Sequence, residues 1–90
     1  MTLDTARTIN LAPGHRLQWE EAQNAYVILY PEGMVELNTT SAEILKLCTG
    51  ELAFDGIVNR LEQLFDVQGI SSDVREFIQV ALDNGWITQG

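Results

Sequence analysis

The side chains in this 90-residue sequence that carry catalytic chemistry elsewhere are one histidine, His15, one cysteine, Cys48, and thirteen carboxylates. A nucleophilic thiol needs a base beside it, and no histidine is near Cys48 in sequence. Cys48 shares an apolar helical face with Ile44 and Leu47, which points to buried packing. His15 stands at the start of a strand pattern, where a surface or turn role outweighs general base or ligand. The carboxylates fall at caps, in turns and on polar helix faces, without metal-ligand spacing. Glycines occur singly, mostly at element ends, so no phosphate-cradling loop is present. A small enzyme would have to work through Cys48. The residues favour an interaction surface instead.

Charge narrows the partner. The formal net charge is −8, and the cations are only Arg7, Arg16, Lys46, Arg60 and Arg75, no two adjacent. A nucleic-acid binder must neutralise several phosphates, and an anionic membrane asks for the same chemistry. Neither is an expected partner. No apolar run reaches the roughly 20 residues that span a bilayer, and MTLDTARTIN lacks the apolar core of a signal peptide. With one cysteine and no internal disulfide possible, a cytoplasmic protein without metal or cofactor is expected.

Hydrophobic residues at 46% and charged residues at 20% describe a chain that folds, and its length is that of one domain. Residues 1–13 show no sustained period and end in Pro13-Gly14, which reads as a flexible N-terminal arm with Ile9 and Leu11 resting on the body. The domain proper is 14–90. Leu17 and Trp19 alternate with Arg16, Gln18 and Glu20, as in a strand with one wet face. In AYVILY, residues 25–30, apolar side chains continue at every position, as in a strand covered on both faces. Pro31 and Gly33 suit the turn that follows, and Met34-Val35-Glu36-Leu37-Asn38 forms a third strand. The expected sheet is an antiparallel meander with strands near 15–20, 25–30 and 34–38, the first and last at its edges.

From residue 40 the period becomes helical. Thr40-Ser41-Ala42-Glu43 fits a capping box, and Gly50 suits the end of that helix. Asp55 is placed to cap a second helix carrying Ile57, Val58, Leu61, Leu64 and Phe65. Ser71 or Ser72 starts a third with Val74, Phe77, Ile78, Val80, Ala81 and Leu82, stopping at Asn84-Gly85. At about 100° per residue the third helix has an apolar arc about 200° wide, more than one core contact needs. Either it is wedged between the other two helices, or part of its stripe faces a partner. The class is α+β: three strands, then three helices, in a winged helix-turn-helix-like order.

That fold often binds DNA, but Asp73, Glu76 and Asp83 against Arg75 give the recognition face the wrong sign for a groove reader. A peptide fits better, added as a strand to the edge at 34–38 with the surplus flank of the third helix as its wall.

Several stretches carry a family resemblance: RLQWE at 16–20, VILYPEGMVELN at 27–38, Thr40 with Ile44-Leu45, and Gly50. It continues through the Ile57–Phe65 helix, Asp73-Val74, Glu76-Phe77 and Gly-Trp-Ile at 85–87. Together they resemble the D protein family of pyrroloquinoline quinone (PQQ) biosynthesis. One departure is Thr49, where the family commonly has an acidic residue. The resemblance implies a peptide chaperone and not an enzyme. Such a protein binds the ribosomally made precursor peptide and presents it to a radical S-adenosylmethionine (SAM) enzyme that joins a Glu and a Tyr. It places the peptide backbone along Met34, Val35, Glu36, Leu37 and Asn38. Its side chains would meet Val74, Phe77, Ile78 and Ala81, with Val80 and Arg75 at the rim. The edge could equally pair with a second copy, so monomer and homodimer both remain open.

Overall fold

The computed structural model describes residues 2–90. Two three-stranded antiparallel sheets and three helices follow one another as β1 (Thr8–Leu11), β2 (Arg16–Glu20), β3 (Ala25–Tyr30), β4 (Gly33–Glu36), α1 (Thr39–Lys46), β5 (Thr49–Ala53), α2 (Phe54–Phe65), α3 (Ser71–Asp83) and β6 (Ile87–Gln89). The fold is winged-helix-like. The expected meander is the sheet β2-β3-β4, with β3 in the middle. Adjacent residues Val27 and Ile28 point to opposite faces of β3, yet both are fully buried. Ile28 pairs across with Leu17 and Val35 on the face turned to the core. Val27 lies on the outer face between Gln18 and Glu36. Beside it runs a polar ladder in which Arg16 donates to Gln18 and Gln18 to Glu20. Long polar side chains thus shield an apolar one. Gly33, which rejoins the ladder after the turn, has φ 155°, a value L side chains rarely adopt.

The second sheet, β5-β1-β6, departs from the sequence reading. Residues 8–11, expected within a flexible arm, are its central strand, and Ile9 is fully buried. Thr8 and Asn10 pair with Ala53 and Thr49 on one side, while Ile9, Asn10 and Leu11 pair with Gln89, Thr88 and Ile87 on the other. The preceding segment is also tied down. Leu3 is buried and its amide donates to the Gln79 side chain. Arg7 donates to the Gln89 and Gly90 carbonyls. Gly50, expected to end the first helix, lies in β5 with φ 89°. A Cβ there would come within 3.3 Å of Asn10 Nδ2, so the close approach of β1 and β5 also favours glycine.

The helix starts are displaced as well. Asn38, not Thr40, caps α1: its Oδ1 accepts from the Ser41 amide at 2.8 Å. Ala53 occupies the cap position of α2, and Asp55 lies in the first turn, where a carboxylate favours the positive end of the helix dipole. Ile70, not Ser71 or Ser72, stands at the N-cap of α3. At its other end α3 closes as the Asn84-Gly85 pair suggests. Gly85 donates to the Leu82 carbonyl and Trp86 to that of Ala81, a Schellman arrangement with Gly85 at φ 75°. The core between sheets and helices gathers Ile9, Ile28, Leu45, Ile57, Leu61 and Ile78, all essentially inaccessible to water.

Candidate functional site

β4 forms one edge of its sheet, and among the described residues no strand pairs with its outer side. Its register shows which backbone groups are free. The Leu37 amide donates to the Tyr26 carbonyl at 2.9 Å, so residue 37 faces inward. In an antiparallel pair, inward and outward residues alternate. Val35 opposite Ile28 and Gly33 opposite Tyr30 therefore complete the ladder to β3. Met34 and Glu36 turn their N–H and C=O groups outward, ready for another strand. Side chains alternate too: Val35 lies on the core face with Ile28, and Met34 and Glu36 on the outer face with Leu29 and Val27.

Helix α3 runs between two concavities at the ends of this strand, in the direction opposite to β4. At its start, Asp73, Val74 and Phe77 line a groove with Asn38, Thr40 and Ser41, just beyond the end of β4. At its finish, Asn84 and Gly85 share a concavity with Glu32, just before β4 begins. Positions 73, 77, 80 and 84 lie on one helical face at spacings of three and four. Asp73, Phe77, Val80 and Asn84 therefore form the helix stripe that joins the two concavities. Val80 is 46% exposed, as is Met34, both high for apolar side chains. The groove at the first half of α3 encloses about 320 Å³ and is mostly apolar, with Ile44, Leu61, Phe65, Val67 and Ile70 completing its lining.

The expected peptide-contacting residues fall in different places. Met34, Val35 and Glu36 lie on the edge strand β4, Phe77 and Val80 share one face of α3, and Phe77 lines the groove with the buried Val74. Ile78 and Ala81 are fully buried in the core and offer no surface to a guest. Leu37 is also buried, and Asn38 has left the strand to cap α1 while lining the groove. Arg75 points toward α2, its guanidinium 4.8 Å from the centroid of the Phe54 ring in a cation–π contact, and is not part of the groove lining. The sequence reading missed Phe65, Val67 and Ile70. Their signal was three large apolar residues around the α2–α3 loop, where polar residues are usual.

The other reactive side chains lie elsewhere. Cys48 is buried and donates to the Ile44 carbonyl at 3.4 Å; burial pushes its thiol up to about 12, so it stays protonated at neutral pH. His15 stacks on Tyr30 with ring centroids 5.6 Å apart, and its Nδ1 lies 3.0 Å from the Pro13 carbonyl. Lys46 pairs with Glu43 at 2.9 Å and sits over the Tyr26 ring. The hydrogen bond to Glu43 raises the Lys46 pKa against an opposing loss of hydration. Among the described residues, no group of His, Cys, Asp and Glu is placed to hold a metal ion, and no helix is long and apolar enough to cross a membrane.

Residues 25–87 match the family model for coenzyme PQQ synthesis protein D (PqqD). A PqqA binding protein of Methylococcus capsulatus is 53% identical over 89 residues, covering 99% of this chain and 96% of that protein. One from Klebsiella pneumoniae is 49% identical, covering 83% of each. Among solved structures, the fold superposes on the PqqD truncation of Methylobacterium extorquens PqqCD, a stand-alone recognition element for ribosomally synthesized and post-translationally modified peptides (RiPPs). The TM-score is 0.80, with 24% identity and coverage of 97% and 95% of the two chains. It also matches part of the heterocyclase TruD, with TM-score 0.71, 17% identity, and coverage of 93% of this chain and 12% of that one.

Proposed function

Since the chain belongs to the coenzyme PQQ synthesis protein D family, we propose that it is a non-catalytic carrier of the precursor peptide PqqA. It binds PqqA by strand addition and presents it to the radical SAM enzyme that joins a Glu and a Tyr of that peptide. The observation that carries this reading is the pair of outward-facing backbone positions, Met34 and Glu36, beside a partly exposed apolar helix stripe. Backbone hydrogen bonds at those positions would hold the guest whatever its sequence, each worth about 1 kcal/mol net. Alternate guest side chains would enter between β4 and α3, against Val35, Phe77 and Val80, with Val74 and the neighbouring groove extending that wall. Buried Ile78 and Ala81 support the wall from behind. A DNA-reading role for α3 would require cations on this face, and it has none beside β4.

Reconstitution tests the reading. With PqqA and the radical SAM enzyme present, adding the protein should increase the cross-linked peptide, and it should form no product with PqqA alone. Product formation independent of the protein, with no binding of PqqA, would contradict it.

A further inference from the structure

Resting on that peptide-binding reading, we propose that the recognised segment carries basic side chains interspersed with its apolar ones, and that Glu36 and Asp73 read them. The five cations are engaged elsewhere or lie outside the groove. Arg7 holds the C-terminal carbonyls, Arg16 bonds Gln18, Lys46 bonds Glu43, Arg75 covers Phe54, and Arg60 lies exposed on α2 outside the lining of the groove. Carboxylates, by contrast, flank the groove along its length. Glu32 stands before β4, Glu36 projects from its outer face, Asp73 lines the far end, and Glu76 is exposed one turn from Val80. Glu32, Glu36, Asp73 and Glu76 make no ion pair and accept no side-chain hydrogen bond among the described residues.

A strand guest turns its side chains alternately to the two faces of the sheet. One set would enter between β4 and α3, where the lining is apolar. The other would lie on the outer face beside Met34 and Glu36. A guest residue opposite Glu36 gains from being Lys or Arg and loses from being Asp or Glu. Direction adds a second constraint. A guest antiparallel to β4 begins near Asn38 and ends near Glu32, so its N-terminal part passes Asp73, where a second basic residue is favoured. With a net charge of −8, the protein would also draw such a segment in from a distance, an effect that salt screens.

The test compares PqqA with a version whose Lys and Arg are replaced by Gln, titrated at low and high salt. The proteins are the parent, the double variant Glu36→Gln with Asp73→Asn, and Glu51→Gln as a charge control on β5 in the other sheet. The neutralised peptide should bind about tenfold more weakly at low salt, with the gap closing at high salt. The double variant should lose the preference, and Glu51→Gln should keep it. Equal affinity for the two peptides, a preference that survives in the double variant, or a precursor lacking Lys and Arg in the bound stretch would overturn the inference while leaving strand addition intact. If neither peptide perturbs the Met34–Glu36 amides, strand addition fails and the inference with it.

Discussion

Cys48 is the side chain whose chemistry the fold suppresses most. Burial raises its thiol to about 12, well above the ordinary thiol value, so folding favours the protonated form. That contribution is fully present below the unfolded thiol's pKa and is lost as pH rises from there toward 12. The melting temperature should therefore fall more steeply above about pH 9 in the parent than in Cys48→Ala, which a thermal melt series across pH would measure. PqqA binding should be unchanged by that substitution. Asn38 does two things at once, capping α1 and lining the groove. Asn38→Ala should cost about 1 kcal/mol of stability by chemical denaturation. Thr40 looked the better cap in sequence because of Glu43 three residues on. Glu43 instead bonds Lys46, and the helix begins two residues earlier, with Asn38 as its cap.

Strand β4 and helix α3 can each be probed alone. Glu36→Pro removes an outward amide but no bond to β3, so the fold should persist by circular dichroism while PqqA affinity by calorimetry collapses. Unchanged affinity would exclude pairing at that position. Val80→Ser should weaken binding by about 1 kcal/mol, roughly fivefold, with little effect on stability, because Val80 is exposed in the free protein. The strand, its turn and the wide stripe of α3 were legible because each is a local pattern of period two or 3.6. The split of that stripe was not. Whether Ile78 and Ala81 or Phe77 and Val80 face the edge depends on how α3 is rotated against the sheet, and packing against α2 and the residues before β1 sets that rotation.

At the scale of the whole molecule, the second sheet closes the fold by joining the two ends of the chain. TINL has only four residues, too few for a period to stand out, and its partners lie far away in sequence at Thr49–Ala53 and Ile87–Gln89. No local signal announces such pairing, which is why residues 1–13 looked like an arm. Ile9→Ala, in the central strand, should destabilise the domain by about 2–5 kcal/mol in equilibrium unfolding. A free β4 edge also bears on assembly. If two copies associate through it, added PqqA should dissociate them, and sedimentation across protein concentrations with and without peptide would show this.

Strand addition is tested most directly by titrating 15N-labelled protein with PqqA and following backbone amides. Strand addition beside α3 predicts the largest shifts at Met34 and Glu36, accompanied by Asp73, Phe77 and Val80, with the β5-β1-β6 sheet unmoved. Shifts confined to that second sheet, or none along β4, would contradict it.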